Sequence, residues 1–383
     1  MKILINASNL KVGGGLQVAD SIVHELKNLP EHSYIAVVPS KIFDACSDAN
    51  ANGNVKVLKY DMPASFISAV TGKDSTLDKL VADEEIDAVL TVFGPSRWRP
   101  QVPHLCGFAR PQLVIPESPF WKKVKGVQRH KSGIRRALNE WLFKVSADNL
   151  WTENSFISDR VKKLYPAKKV FTVTNNYNQV FDDENLWDNN VKLRAFDGLS
   201  LLTISANYPH KNLGIIRSCI EWLGEHHPEL KYRFVLTLNE NQFPLRNDKE
   251  KKHILLIGPV AINQVPYLYR QADVMFLPTL LECFSASYAE AMKMKVPILT
   301  TDLGFAHSIC GDAACYFSPI SVSDLGGKLY SLATDPTLSK KVVENGLRQL
   351  DHFDTAAQRA RKLIDITSNL TKKNNDAASS KNI

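Results

Sequence analysis

Residues 273–292 read DVMFLPTLLECFSASYAEAM, a sequence that indicates a strand followed by a helix. Four apolar residues follow Asp273 and end at Pro278, which is typical of a short buried strand. A helix is predicted over 287–293, so a strand leads almost directly into a helix, the unit of a doubly wound parallel sheet. The free amides of residues 284–286 at this helix start would point at an anion.

A second junction of this kind carries a cation. The predicted strand 199–205 is followed by YPHKN at residues 208–212 and by a predicted helix over 212–226. Strands of a parallel sheet share one carboxyl edge, so we expect Lys211 at the same edge of the second sheet as the helix start at residues 284–286. A cation beside a helix start can stabilise a diphosphate leaving group without a metal ion. The chain contains no Asp-x-Asp pair, the motif of metal-dependent sugar transferases, so we expect no metal site.

Strand-like and helical stretches alternate along the whole chain. Further strands are predicted at 2–7, 34–39, 55–60, 88–93, 105–109, 170–175, 232–238, 253–258, 296–300 and 314–317, and further helices at 16–29, 265–271 and 322–334. This alternation predicts an α/β protein with two successive doubly wound domains. Neither half has a GxGxxG followed by an acidic residue about 20 positions later, which disfavours a nicotinamide dehydrogenase.

Three glycines, Gly13 to Gly15, follow the first predicted strand and open the first helix. Their missing side chains and the free amides of the helix start would let a phosphate approach closely. A tight turn without a ligand explains the same residues equally well, so both interpretations stay open.

These motifs resemble those of retaining glycosyltransferases of the GT-B fold, the large family 4. Glu282 and Glu290 match the family's E-x7-E motif, residues 273–279 its "AD..v.PS" strand, and residues 290–292 its "EAM". The match continues at residues 296–299 and 311–314. In the first domain, Gly13 to Gly15 stand where the family has its glycine loop. Residues 174–178 resemble the family's "PNGVD" segment before the linker. The similarity covers residues 2–353 and implies two Rossmann-like parallel-sheet domains facing a cleft.

The resemblance implies a role for each matched charged residue. Lys211 would contact the diphosphate of a nucleotide-sugar, and Glu282 the hydroxyls of the transferred sugar, so these two are the catalytic candidates. Glu290 would hold the ribose of the nucleotide. The alternative for Glu282 and Glu290 is structural, with both carboxylates stabilising a helix N-terminus.

The resemblance also assigns uncharged groups to the donor site. The backbone amides of Phe284 and Ser285 would lie beside the donor. Gly14 and Gly15 would close on its diphosphate from the first domain. The nucleotide-sugar is a co-substrate, and no other cofactor is expected.

The chain departs from the family at several positions. Ala206 stands where the family usually has Arg, and Cys283 and Ser285 stand where it has glycines. The family's His-Asp pair is absent, and Ala109 and Arg110 occupy its place. These departures leave room for a non-catalytic nucleotide- or glycan-binding protein, and a nucleotide-sugar epimerase shares the fold.

The net charge of +7 is concentrated in one stretch. The residues between 121 and 139 include no acid and seven cations: Lys122, Lys123, Lys125, Arg129, Lys131, Arg135 and Arg136. The apolar residues Ile134, Leu138, Trp141, Leu142 and Val145 follow a helical spacing, which predicts a basic amphipathic helix. Such a helix suits anionic lipid head groups. A core helix with a solvated basic face is the alternative. A nucleic-acid patch is disfavoured because no recognition motif accompanies it.

The predicted organisation is an acceptor domain over 1–184, a linker over 185–198 and a donor domain over 199–353. A C-terminal helix over 354–370 is expected to cross back to the first domain, and a disordered tail over 371–383 to follow. No run of about 18 apolar residues and no hydrophobic signal region is found. The six scattered cysteines suit a reducing compartment. We therefore expect a cytoplasmic protein, peripheral on the inner face of the cytoplasmic membrane.

The predicted function is retaining, metal-independent transfer of a hexosyl group from a nucleotide-sugar to a glycan. The basic stretch favours a glycolipid acceptor, namely a lipid-diphosphate-linked oligosaccharide in O-antigen, lipopolysaccharide or capsule assembly. Arg110, Lys122, Lys123, Arg135 and Arg136 are the residues assigned to the acceptor or the membrane.

Overall fold

The computed structural model describes residues 1–379 of the chain. The chain divides into two compact units. The first consists of Met1–Val114, Gly126–Asn175 and the segment from Asp354 onward, and the second of Ile115–Lys125 and Asn176–Phe353. Each unit is built on one parallel sheet, which confirms the predicted α/β class.

The strands of the first unit are β1 (Lys2–Asn6), β2 (Ser33–Val38), β3 (Val55–Lys59), β4 (Ala88–Thr91), β5 (His104–Gly107), β6 (Asn149–Thr152) and β7 (Lys169–Thr172). Within the described residues they form a parallel sheet in the order β3-β2-β1-β4-β5-β6-β7. The strand order reverses between β1 and β4, so the loop of Gly13 to Gly15 leaves the sheet at its topological switch point.

The strands of the second unit are β8 (Leu199–Thr203), β9 (Tyr232–Leu236), β10 (Ile254–Leu256), β11 (Val274–Leu277), β12 (Ile298–Thr301) and β13 (Cys315–Phe317). In the described part of the chain they form a parallel sheet in the order β10-β9-β8-β11-β12-β13. The order reverses between β8 and β11. The loops after these two strands carry Lys211 and Glu282, which therefore lie at the switch point where ligands of such sheets bind.

The helices, numbered along the chain, are α1 (Gly14–Leu26), α2 (Ser40–Cys46), α3 (Phe66–Thr71), α4 (Ser75–Asp83), α5 (Pro111–Val114), α6 (Phe120–Lys123), α7 (Gly126–Ser146), α8 (Ser155–Leu164), α9 (Ile215–His226), α10 (Asp248–His253), α11 (Val265–Tyr269), α12 (Ala286–Lys293), α13 (Gly304–Cys310), α14 (Val322–Thr334), α15 (Pro336–Leu350) and α16 (Ala356–Ser379). Apolar residues four apart bury one face of each sheet-covering helix. Val18, Ile22 and Leu26 do so in α1, and Ile216 and Ile220 in α9.

The last helix, α16, completes the core of the first unit. Ala360, Leu363 and Ile364 are fully buried in that core. The helix continues to Ser379, past the predicted end at 370, because no Gly or Pro follows that would terminate it. The predicted tail thus lies partly in this helix, and residues 380–383 lie outside the described residues.

The segment 176–198, predicted as the end of the first domain and a linker, packs on the second unit. The backbone N–H of Asp188 donates to the carbonyl of Asn263 at 2.9 Å. The N–H of Leu193 donates to Oε1 of Gln271 at 2.8 Å. These bonds hold the segment to the unit that contains β8 to β13.

Candidate functional site

Three threonine hydroxyls donate hydrogen bonds to backbone carbonyls at the carboxyl edge of the second sheet. Thr203 at the end of β8 donates to the carbonyl of Phe276 at 2.7 Å, and Thr300 donates to that of Leu277 at 2.8 Å. Thr301 donates to the carbonyl of Thr279 at 2.6 Å. The loops that leave β8 and β11 therefore start from positions fixed by buried hydrogen bonds.

Lys211 and Glu282 meet at this edge. The loop after β8 forms a 3₁₀ turn over Pro209–Lys211 and ends at Asn212, whose φ of 56° turns the chain into α9. The Lys211 ammonium forms an ion pair with the Glu282 carboxylate. Thr279 donates to the same carboxylate oxygen at 3.0 Å. The structure thus brings together the two predicted catalytic residues, and Thr279 joins them as a residue that is not predicted from the sequence.

The two loops are also joined through their backbones. The N–H of Leu280 donates to the carbonyl of His210 at 2.7 Å. The His210 ring stacks on Tyr208 with ring centres 5.6 Å apart, and burial lowers the pKa of His210. This bond between the loops fixes Lys211 and Glu282 relative to each other.

Glu290 lies inside α12, where it is buried. The Tyr269 hydroxyl is 3.2 Å from both Glu290 Oε2 and the carbonyl of Ser287. Burial raises the pKa of Glu290 from 4.5 to about 7. Burial and the neighbouring carboxylate raise the pKa of Tyr269 well above 10. Near neutral pH this carboxyl group can hold a proton and either donate or accept a hydrogen bond.

The start of α12 lacks a side-chain cap. Ser285 is its N-cap residue but its side chain makes no capping hydrogen bond, and no acidic residue lies in the first turn. The Phe284 ring contacts Phe353 edge-on, with ring centres 5.8 Å apart. The partial positive charge of this helix start lies in the loop that carries Glu282.

A short segment of the N-terminal half, Ile115–Lys125, contributes to the second unit beside this edge. The Ser118 hydroxyl donates to the carbonyl of Leu280 at 2.6 Å, and Phe120 contacts His210 edge-on at 6.4 Å. The Lys123 ammonium donates to Oδ1 of Asn212, and burial lowers its pKa. Among the described residues, the Asn212 side-chain N–H group is buried without a hydrogen-bond partner. Lys123 is a residue predicted from the sequence to serve the acceptor or the membrane, and its contact with Asn212 is not predicted.

In the first unit, the predicted glycine loop forms the N-terminus of α1. Gly13 has a φ of 80° and caps the helix, whose first turn has no acidic residue. A Cβ placed on Gly14 would meet no atom within 4 Å, and one on Gly15 would lie 3.5 Å from Phe93. The packing of the unit does not itself require a glycine at position 14.

The remaining predicted residues fall in both units. Lys122 lies on α6 of the second unit and is exposed, whereas Arg135 and Arg136 lie on α7 of the first unit. Arg136 donates to the carbonyl of Leu113 at 3.5 Å. Arg110 is exposed just before α5. The predicted basic amphipathic helix is present as α7, but only its last turns are buried, through Leu142 and Phe143 among others.

Within residues 1–379, no group of three or more His, Cys, Asp or Glu side chains is arranged to hold a metal ion. No helix of this part of the chain is both long enough and apolar enough to cross a membrane.

Solved structures with this architecture define the class of fold. A glycosyltransferase from Rickettsia africae matches 97% of this chain and 98% of its own with a TM-score of 0.69 at 14% identity. WaaG, a glycosyltransferase involved in lipopolysaccharide biosynthesis, matches 96% and 99% with a TM-score of 0.62 at 14% identity. Anabaena Alr3699/HepE in complex with UDP-glucose matches 96% and 100% with a TM-score of 0.65 at 14% identity. The fold is therefore GT-B, as the sequence predicted.

The second unit also has a sequence similarity to a known family. Residues 202–335 match the family model described as glycosyl transferases group 1. This segment contains Lys211, Glu282 and Glu290. O-antigen chain mannosyltransferase RfbU of Salmonella typhimurium is 21% identical over 200 residues. That match covers 49% of this chain, and the chain spans only about half (52%) of the length of this relative.

Proposed function

We propose that this protein is a retaining glycosyltransferase that moves a hexosyl group from a nucleotide-sugar to a glycan acceptor. The observation that carries the proposal is the Lys211–Glu282 ion pair beside the uncapped start of α12, at the switch point of the second sheet. A cation and a helix start serve the diphosphate, and a carboxylate serves sugar hydroxyls. The match of this segment to group 1 glycosyl transferases supports the assignment.

In this proposal Lys211 and the amides of Phe284 and Ser285 bind the donor phosphates. Glu282 accepts hydrogen bonds from the sugar, and Glu290 binds the ribose. An acceptor hydroxyl oxygen bonds to the anomeric carbon as the bond to the diphosphate oxygen breaks on the same face. The hydroxyl proton passes to that phosphate oxygen. The protein contributes positioning and stabilisation of the leaving group, without a metal ion.

Lys123 is proposed as a second cation for phosphate. The ammonium of Lys211 is neutralised by Glu282, whereas Lys123 is held by the neutral side chain of Asn212. A diphosphate carries more than one negative charge. Lys211 alone, already paired with Glu282, would not balance that charge. Lys123 is adjacent to the loop of Lys211 through Asn212, and it offsets the absence of a cation at Ala206.

We further propose that the acceptor is a lipid-diphosphate-linked oligosaccharide and that the protein is cytoplasmic and peripheral on the membrane. The basic residues of α7, among them Arg135 and Arg136, would attract anionic head groups. The names of two relatives, an O-antigen mannosyltransferase and a lipopolysaccharide glycosyltransferase, support assembly of a surface polysaccharide.

Thermal stability against UDP, GDP, dTDP and CMP tests the donor site. A nucleotide at about 100 times its Kd should stabilise the protein by about 2.7 kcal/mol. Lys211→Ala and Glu290→Ala should lose this stabilisation, and the exposed Lys340→Ala should keep it as the matched control. If no nucleotide or nucleotide-sugar stabilises the protein, the proposed site is wrong.

Assays of turnover distinguish a transferase from an epimerase and from a non-catalytic binding protein. A transferase releases nucleotide only when acceptor is added, whereas an epimerase alters the sugar from the donor alone. The replacement of both loop glycines by Cys283 and Ser285 favours a second candidate, a non-catalytic nucleotide- or glycan-binding protein. That protein would bind nucleotide yet show no turnover with any donor and acceptor.

A further inference from the structure

The first unit exposes a short helix that is apolar and uncharged. Helix α3 has the sequence FISAVT, and Phe66 and Ile67 keep 74% and 72% of their surface exposed. Val70 is also exposed. Large apolar side chains this exposed and this close together are typical of surfaces that bind a partner.

A second apolar stripe lies on α7. Val127, Ile134, Leu138 and Trp141 are exposed and are spaced seven, four and three residues apart, so they share one side of the helix. The same helix carries Arg129, Lys131, Arg135 and Arg136, and its part before residue 139 has no acidic residue. Exposed apolar and basic side chains on one helix are typical of a helix that lies in a membrane interface.

Arg99 connects the two helices. Its guanidinium donates to the carbonyls of Ala69 and Val70 at 3.2 and 3.1 Å, and lies 5.7 Å from the centre of the Trp141 ring. A Cβ on Gly72, at the end of α3, would lie 2.7 Å from Cδ of Arg99, so this glycine permits the close packing. Through these contacts α3 and the Trp141 turn of α7 form one surface of one unit.

We propose that α3 inserts into an anionic bilayer while α7 lies along it, with its basic side chains at the head groups. Phe66, Ile67 and Val70 would enter the acyl region, and Trp141 would lie at the interface, where its ring is favoured. A second copy of the chain fits this surface poorly, because a two-fold contact would place the two basic helices close to each other. The inference rests on the proposed function for its setting, since the bilayer would carry the glycolipid acceptor.

Insertion predicts a component of binding that salt does not remove. Electrostatic attraction of α7 should fall as salt screens it, whereas burial of apolar side chains should persist at about 1 M NaCl. We expect the wild-type protein to co-sediment with vesicles of phosphatidylglycerol and phosphatidylethanolamine in both low and high salt.

Ile67→Asp and Ile320→Asp form a matched pair of variants. Both residues are exposed isoleucines, at 72% and 70%, but Ile320 lies in the second unit. Ile67→Asp should lower vesicle binding by at least about tenfold and abolish binding in high salt, whereas Ile320→Asp should change neither. Brominated lipids should quench the fluorescence of the wild type, and Trp141→Phe should lose most of that quenching.

Three results would overturn the proposal. They are equal vesicle binding by the two aspartate variants, complete loss of wild-type binding in high salt, and a wild-type dimer in light scattering that Ile67→Asp converts to a monomer. The midpoint of thermal unfolding should be unchanged in Ile67→Asp, which shows that this variant is folded whether or not a nucleotide binds. Failure of the nucleotide test with intact vesicle binding would contradict the proposed function and leave this inference standing.

Discussion

Lys211 and Glu282 are 71 positions apart in the chain and form an ion pair across two neighbouring loops of the second sheet. Thr279 also donates to the Glu282 carboxylate, so this carboxylate is held from both loops. A phosphate ligand would compete with Glu282 for Lys211. The ion pair therefore keeps the lysine at the proposed phosphate site and compensates its charge.

This competition predicts opposite effects for the two partners. Lys211→Ala should weaken binding of the stabilising nucleoside diphosphate by about 10- to 100-fold, because a charge-assisted hydrogen bond is lost. Glu282→Gln should leave this affinity unchanged or increase it, while turnover is lost. Calorimetric titration measures both affinities, and equal weakening in the two variants would contradict the assignment.

The buried Glu290 predicts a dependence of stability on pH. Its folded-state pKa of about 7 lies above the ordinary 4.5, so folding binds a proton between these values. The resulting cost is absent below pH 4.5 and complete above pH 7. Glu290→Gln should therefore gain stability relative to the wild type between pH 5 and pH 8, on the order of 3 kcal/mol. Urea unfolding at both pH values measures this, with the exposed Glu240→Gln as control. A gain that is the same at both pH values would exclude this titration.

How much of the molecule the sequence predicts depends on burial. The continuous apolar runs of β1 and β11 mark buried parallel strands, and both are predicted to within two residues at each end. Strand β6 is not predicted, because only Leu150 and Trp151 of its four residues are apolar and it directly follows the pattern of α7.

In the candidate site too, some features follow from local sequence patterns and others do not. The loops of Lys211 and Glu282 are predicted at one edge of the second sheet because of its parallel topology, but the ion pair between the two side chains is not predicted. The contact of Lys123 with Asn212 and the exposure of Phe66 depend on packing between segments distant in the chain. No local pattern encodes such packing.

The open space around Gly14 separates a ligand-binding role from a structural one. Gly14→Ala in α1 and Gly133→Ala in α7 add a methyl group that meets no atom within 4 Å. Gly133→Ala should raise stability by about 0.5–1 kcal/mol, because an interior helical glycine is replaced by alanine, and Gly14→Ala, at the first position of α1, should not lower it. Only Gly14→Ala should raise the KM for the nucleotide-sugar. Steady-state kinetics and thermal unfolding test this, and unchanged kinetics would leave the glycine loop a simple turn.

Arg359 of α16 should be essential for the stability of the first unit. It is buried, donates to Asn175 and to Ser21, and lies near the buried carboxylates of Glu153 and Asp354. Arg359→Met should lower the free energy of unfolding by about 3 kcal/mol, because it removes the buried hydrogen bonds to Asn175 and Ser21 and the positive charge near Glu153, whereas Asp354 keeps its ion pair with Lys362.

The exposed neighbour Arg361, which pairs with Glu31, provides the control for this prediction. Arg361→Met should change the free energy of unfolding by less than about 0.5 kcal/mol. Urea titrations that show equal losses for the two variants would contradict the proposed role of Arg359.

The place of α16 in the first core has a consequence for synthesis on the ribosome. The backbone N–H of Thr174 bonds to the Asp354 carboxylate across 180 positions, and Ala360, Leu363 and Ile364 complete a core that begins at Ile3. At about 5–20 residues per second, the 180 positions between Thr174 and Asp354 take roughly 10 to 40 seconds to emerge from the ribosome. All residues of the second unit are therefore synthesised before α16, which completes the core of the first unit.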